Sequence, residues 1–467
     1  MQPPIQKTTN SLGNCLKHRF LLTRILFTEL VLVILIFSIP STLQSQTYHT
    51  FKGKVIEKQG NLPVPFAAIG IKKAGIGVNS NELGEFTFHF SSKNINDTID
   101  ISCLGYLKVR LPIKLINFHE YQTVELSANM VSLNDVTIKG KARPLKAKEI
   151  VAKAILHIPD NYSLVPFQLS GYYRDYLKEN SKYYNLVEAA ITIEDNGFNT
   201  YDFEKSLLQF QQFRINKDYT IDFDQIVPYE DIKLKTQKKE INKYIPSATM
   251  QIKSDNEFTI LRIHDPIRNH QNFSFSFINT FDTDFVKNHI FKLQKVTYND
   301  SVAVYIISFR AEEGYTDKNK QVIVHYSTGT IYINSRTYAI EKISYLLEVD
   351  SQEFNGKLYE LNLEYKEFNK KMYLNYLSFS NYFEIVRKSK STGIIDSRLM
   401  GKYQEPSYSK TNFYQYREFF VNKVSESPFQ KIDFKNSFSK NKSLRLNSLP
   451  EDSAFWNGFN YTHKPLQ

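Results

Sequence analysis

Between Gly53 and Tyr106 the chain breaks into four short apolar runs joined by glycine or proline, and no other stretch limits the fold as tightly. The runs are Gly53-Lys-Val-Ile56, Pro63-Val-Pro-Phe-Ala-Ala-Ile69, Gly77-Val-Asn-Ser-Asn-Glu-Leu-Gly84-Glu-Phe86 and Ile101-Ser-Cys-Leu-Gly105-Tyr106. Runs this short, punctuated by residues that turn the backbone, predict a small antiparallel β-sandwich. Gly84 is placed to take a positive φ in a tight turn, after which Phe86, Phe88 and Phe90 alternate inward. Gly105 lets the chain bend and Tyr106 closes the end of the sandwich.

The order of these pieces resembles the carboxypeptidase regulatory-like domain of Bacteroidetes envelope proteins. Gly53-Lys-Val-Ile56 matches that family's opening strand and Pro65-Phe-Ala-Ala-Ile69 its P-x-x-A-x-V/I strand. Asn81-Glu-Leu-Gly84-Glu-Phe86 matches its T-D-x-x-G-x-F turn, and Ile101-Ser-Cys-Leu-Gly105-Tyr106 its I-S-x-x-G-Y strand. The resemblance implies a folding and interaction module and an envelope setting; it implies no peptidase activity. Asn79-Ser80-Asn81 stands where the family has Thr-Asp. Asparagine keeps the turn geometry, but two carboxylates that calcium would need are missing.

Residues 1–46 read as an export leader. Lys17, Arg19 and Arg24 precede the apolar run Leu30–Phe37, and Pro40, Ser41, Thr42 and Ser45 supply small residues near a cut site. The run is shorter than the ~20 residues of a spanning helix. An uncleaved anchor is the alternative, since Glu29 interrupts the segment and Leu43 is bulky for a cleavage position. Cleavage would remove four bases and one acid, taking the net charge from +11 to +8. It would also remove Cys15, leaving Cys103 alone in an apolar strand as a buried, inert thiol.

Residues 47–128 are the sandwich and 129–165 a connector. Leu133–Gly140 resembles the L-x-E/D-V-x-V-x-G segment that follows the same domain in TonB-dependent outer-membrane receptors. The roughly 300 residues beyond it are too few for a plug and a barrel. A helix follows, because Ala147, Ile150, Val151, Ala154, Ile155 and Ile158 form one apolar stripe, with Pro159 expected to end it. That stripe docks on the next domain or, with Lys146, Lys148 and Lys153 on the polar side, lies peripherally on a membrane. Asn161-Tyr162 and Pro166–Arg174 resemble envelope proteins of unassigned function.

Residues 166–425 are strand-rich. Tyr 30 and Phe 35 make the chain 14% aromatic, which suits half-buried strands, and a mean hydropathy of −0.39 excludes a bundle of membrane helices. Val302–Phe309 and Gln321–Tyr326 read as strands, with Ser327–Gly329 as a turn into Thr330–Ile333. Asn334–Thr337 turns into Tyr338–Val349. In the next strand Tyr359, Leu361, Leu363 and Tyr365 share one face, with Glu360, Asn362, Glu364 and Lys366 on the other. Asn369–Lys371 turns into Met372–Ile385. The whole predicts an antiparallel meander with one wet face. Gly329–Asn334 and Tyr338–Ile343 resemble a strand pair of Lol-type half-barrels, in which a curved sheet cups an apolar ligand. Residues 426–467 form a polar tail ending in an aromatic cluster from Phe455 to Tyr461. The cluster either packs on the body or presents an exposed docking patch.

The chain lacks His-x-x-Glu, His-Glu-x-x-His, a Gly-x-Ser-x-Gly elbow and a phosphate-cradling glycine loop. His157-Ile-Pro-Asp160 imitates the first only loosely, and His264, Asp265 and His270 are the densest group of metal-ligand types. The basic clusters Lys233, Lys235, Lys238, Lys239 and Arg387, Lys388, Lys390 read as solvated faces rather than a nucleic-acid footprint. No catalytic, cofactor or metal residue is assigned. The fold expected is mainly β, a small N-terminal sandwich followed by a larger curved sheet. The function expected is that of an exported, non-catalytic envelope protein, periplasmic or outer-membrane associated, with the sandwich as docking module. Two alternatives stand: a carrier of a lipid or lipid-modified ligand, and a hydrolase with an unrecognised site.

Overall fold

The structure, a computed structural model, describes residues 47–131, 145–179, 182–198, 206–215, 226–227, 265–268, 283–299, 302–311, 325–349, 357–388, 408–433, 437 and 450–461. The expected leader, the Leu133–Gly140 strand, the four lysines at 233–239, Lys390, His264 and His270 lie outside these residues.

Seven strands form the N-terminal sandwich: β1 (Tyr48–Glu57), β2 (Ala68–Ile71), β3 (Ile76–Asn79), β4 (Glu85–Ser91), β5 (Thr98–Ser102), β6 (Val109–Pro112) and β7 (Gln122–Leu126). One layer runs β4-β1-β7 and the other β6-β5-β2-β3. Phe51, Val55, Phe86, Phe88 and Phe90 meet Ile69, Ile71, Ile99 and Ile101 in a closed core, so the period-two pattern of β4 points its phenylalanines inward. At the turn before β4, Asn81 Oδ1 accepts from the backbone N–H of Leu83 at 2.9 Å and of Glu85 at 2.8 Å. Gly84 beside it has φ +77°, and a Cβ there would strike the Val55 carbonyl. Asparagine therefore does the turn's work without a carboxylate. One pairing departs from the antiparallel expectation: β1 and β7 run parallel, as strands joined through the opposite layer can.

The connector supplies β8 (Met130–Val131), helix α1 (Ala147–Leu156) and the single turn α2 (Ile158–Asn161). Ile150, Val151 and Ala154 of α1, with Ile158 of α2, are buried in the core of the next sheet. The apolar stripe thus docks on the following domain. Pro159 does not end a continuous helix; it sits in the first turn of α2, where a missing N–H is tolerated, and the chain bends at His157.

The larger sheet is made by β9 (Phe167–Glu179), β10 (Lys182–Asp195), β11 (Leu207–Ile215), β12 (Ile226–Val227), β13 (His289–Asn299), β14 (Val302–Ala311), β15 (His325–Asn334), β16 (Ile340–Val349), β17 (Lys357–Phe368), β18 (Lys371–Lys388) and β19 (Tyr408–Glu426); α3 (Thr283–Asn288) precedes β13 and α4 (Ser453–Gly458) closes the chain. Strands β13 to β19 form a meander; β19 then pairs back to β9, which pairs with β10, which pairs with β11. The sheet curls into a half-barrel around one core that includes α1 and α2.

Two turns differ instructively. Asn369 and Lys370 both take positive φ, the primed geometry that matches strand twist in a two-residue hairpin. Ser327–Gly329, expected as a turn, lies inside the continuous strand β15. Gly329 is there because Phe309 and Tyr345, on the flanking strands, close over it with ring centroids 5.8 Å apart. A Cβ at Gly329 would meet the Phe309 ring and the Ser344 carbonyl.

Nor is the outer face simply wet. Phe66 of the sandwich stacks on Tyr376 at 5.6 Å, the Val424 N–H donates to the Gly75 carbonyl at 3.0 Å, and Lys72 pairs with Glu367 at 3.1 Å. The C-terminal aromatics cover another part. Trp456 is 3% exposed beside Tyr172, Tyr376 and Phe420, with the Arg214 guanidinium 4.4 Å from its ring centre. The Asn460 amide clamps His89, accepting from its N–H at 2.7 Å and donating to its carbonyl at 2.9 Å. The cluster is a seal across sandwich and sheet, not an exposed patch.

Candidate functional site

The register of the half-barrel places one residue from each of ten strands in a single line across the inner face. From β11 to β13 it reads Ile215, Val187, Asp175, Arg417, Phe379, Leu361, Tyr345, Gly329, Phe309 and Phe291. The next inward line is wholly apolar: Phe213, Ala189, Tyr173, Phe419, Leu377, Leu363, Ile343, Ile331, Ile307 and Leu293. The apolar residues of both lines belong to the buried core, with Ile215, Phe291 and Leu293 partly buried at its margin. The first line carries one ion pair.

That pair is Asp175 on β9 with Arg417 on β19, 1% and 0% exposed. Arg417 Nε lies 3.4 Å from Asp175 Oδ2, Gln415 Nε2 donates to Oδ1 at 3.4 Å, and the Tyr173 hydroxyl donates to Oδ2 at 3.3 Å. Each contact is near the long limit of a hydrogen bond. Arg417 Nη1 and Nη2 and Gln415 Oε1 are buried with no hydrogen-bond partner in the protein. Leaving such groups unmet costs roughly 1–3 kcal/mol each.

The outer face of the same strands is different. Arg214, Glu188, Arg174 and Glu418 face one another in register on β11, β10, β9 and β19, with charge alternating at each step. Arg214 pairs with Glu188 at 2.6 Å and Arg174 pairs with Glu418. Glu418 Oε2 also accepts from the Tyr416 and Tyr376 hydroxyls at 3.0 and 3.3 Å, and Tyr172 donates to Glu188. The tyrosines here are held well above the usual phenol pKa, by burial first and then by the neighbouring carboxylates, so they remain donors at any physiological pH.

The residues singled out from sequence scatter. His157 Nδ1 lies 2.8 Å from Asp160 Oδ2 on a partly exposed turn, its ring stacked on Tyr338. Asp265 accepts from the Tyr365 hydroxyl at 2.7 Å and from the N–H groups of Ile267 and Arg268. Arg268 in turn pairs with Asp195 at 2.7 Å, so Asp265 serves a structural knot with Arg268 and Tyr365. Among the described residues no group of three His, Cys, Asp or Glu side chains could hold a metal ion. The Cys103 thiol is pushed up to about 11, by burial first and then by Glu364, so it stays protonated. Arg387 and Lys388 fall on β18.

Asp175, Arg417 and Gln415 were not singled out by the sequence. The segment Tyr414–Phe420 puts polar residues on both faces of its strand, so alternation carries no sign of which is inward. The available signal is the complementarity of Arg174-Asp175 with Arg417-Glu418, which pairs both dipeptides when the strands run antiparallel.

Residues 51–138 match the model of the CarboxypepD_reg-like domain. The sandwich is that domain. No curated protein matches the chain. Among solved structures, a DUF1329 family protein from Desulfovibrio piger aligns at 7% identity over 62% of this chain and 96% of its own, with TM-score 0.22. A LolA superfamily protein from Nitrosomonas europaea aligns at 10% identity over 63% and 99%, with TM-score 0.19. Scores this low carry no argument about the half-barrel's kinship. Among the described residues no helix is long and apolar enough to cross a membrane.

Proposed function

We propose that the chain is an exported, non-catalytic binding protein of the cell envelope whose half-barrel holds an apolar chain, such as that of a lipid or a lipid-modified molecule. The observation that carries this reading is the pair of inward lines described above. Across ten strands they offer apolar side chains at nearly every position, and only one polar cluster interrupts them. An apolar surface with a few convergent polar groups is the usual chemistry of a small-molecule site. The sandwich makes its aromatic and backbone contacts on the outer face, while the inner lines pack with α1 and α2 in the core, so a ligand enters by parting that packing. The sandwich acts as a brace on the barrel and, through its free side, as the assembly module.

The test is to purify the mature protein from the envelope of its own cells and extract it with organic solvent. Mass spectrometry is expected to recover an acyl-chain compound near one equivalent. Recovery of none, together with no binding of a fluorescent hydrocarbon by the stripped protein, would overturn the reading.

A further inference from the structure

The polar cluster on the inner face specifies what the ligand's polar end must be. Arg417 is fully buried and spends only Nε on Asp175, leaving Nη1 and Nη2 without partners; Gln415, tied to the same carboxylate, leaves Oε1 without one. Both side chains stand on β19 two residues apart, hence on one face of the strand. The cluster therefore holds two unmet donor nitrogens and one unmet acceptor oxygen inside the core, in register with the apolar line Phe379, Leu361 and Tyr345.

The charge balance decides between head groups. Asp175 already neutralises Arg417, so a carboxylate or phosphate would add an unbalanced buried negative charge, and a buried charge without its own counter-ion is strongly disfavoured. A neutral group with carbonyl oxygens can take the guanidinium donors in charge-assisted bonds without that penalty. A hydroxyl or N–H on the same group can satisfy Gln415 Oε1. We infer that Arg417 and Gln415 receive an uncharged acyl ester or amide, carbonyl toward the guanidinium, with the acyl chain along the inner face. This rests on the apolar-chain reading above and names the ligand's polar end.

The experiment measures displacement of diphenylhexatriene, a hydrocarbon probe, from the full-length protein stripped of bound lipid. The competitors are 1-octadecene, monoolein and oleate, of equal chain length. Monoolein is expected to compete about tenfold better than octadecene, the scale of one charge-assisted hydrogen bond, with oleate no better than octadecene. In Asp175→Asn the site becomes cationic and the order reverses, oleate overtaking monoolein. If all three compete equally, or oleate wins in the wild-type protein, the inference fails while the apolar-chain reading stands. If neither the probe nor octadecene binds, both fail. Should Asp175→Asn not fold, as its melting curve would reveal, the wild-type ranking decides alone.

Discussion

Two buried arginine–carboxylate pairs sit back to back on the same two strands. Arg174 and Glu418 point outward, Asp175 and Arg417 inward, and each pair is in direct register. On the outside the carboxylate is gripped by an arginine and two tyrosine hydroxyls beneath a seal of sandwich and C-terminal aromatics. On the inside the Tyr173, Gln415 and Arg417 contacts to Asp175 are 3.3–3.4 Å, and two guanidinium nitrogens of Arg417 are unmet, against the single Nε of Arg174 on the outside. The more nearly satisfied network stabilises the structure, whereas each unmet polar atom in the other carries a desolvation cost. On the proposed reading the curved sheet divides its work, with an outer face that is architecture and an inner face that receives the ligand.

The contrast breaks most directly by removing each arginine. Arg174→Met strands the buried Glu418 carboxylate and is expected to cost about 3–5 kcal/mol. Arg417→Met also strands a buried carboxylate, Asp175, but it deletes two unsatisfied donors, so its net cost is expected to be about 1–3 kcal/mol smaller. Urea denaturation of both variants checks this, and equal losses would erase the distinction. Next in size, Trp456→Ala removes the centre of the outer seal and is expected to cost about 3 kcal/mol. Rapid proteolysis of the C-terminal segment, with hydrocarbon binding unchanged, would keep the two faces separate.

Much of the sandwich was readable because its signals are local. Asn81 and Gly84 declare a turn, and Phe86, Phe88 and Phe90 declare a face. The meander was readable for the same reason wherever alternation is clean, as in Leu361, Leu363 and Tyr365. Gly329 misled because a glycine needed for aromatic crowding across three strands looks, in one dimension, like a glycine needed for a turn. Pro159 misled because the first turn of a new helix tolerates the residue that ends an old one. The inner cluster was illegible: Asp175 and Arg417 lie 242 residues apart, and only a return pairing of β19 onto β9 brings them together.

Two smaller effects sharpen the inner face. Gly329→Ala forces Phe309 and the Ser344 backbone apart and is expected to cost about 1–3 kcal/mol, visible as a lower melting temperature; an unchanged melt would contradict the close packing of that line. His289, 2% exposed at the barrel's edge, donates from Nδ1 to the Phe285 carbonyl at 2.8 Å and accepts at Nε2 from the Ser327 hydroxyl at 2.6 Å. Burial lowers its pKa from the ordinary histidine value. As pH falls below about 6.5 the unfolded chain takes up the proton first, so stability present at neutral pH declines by at most about 1.4 kcal/mol per pH unit. Melting curves between pH 7.5 and 5.5 should show this slope in the wild-type protein and a shallower one in His289→Gln.

The division between the faces can be read on the intact protein by photocrosslinking. A monoacylglycerol with a diazirine in its acyl chain is bound and irradiated, and the labelled peptides are mapped by mass spectrometry. Labels on β16 to β19, at Tyr345, Leu361, Phe379 or Phe419, are the expected result. Labels confined to the exposed apolar side chains Leu62, Leu115, Tyr121 and Leu156, with none on the inner lines, would contradict the assignment of the half-barrel as the receptor.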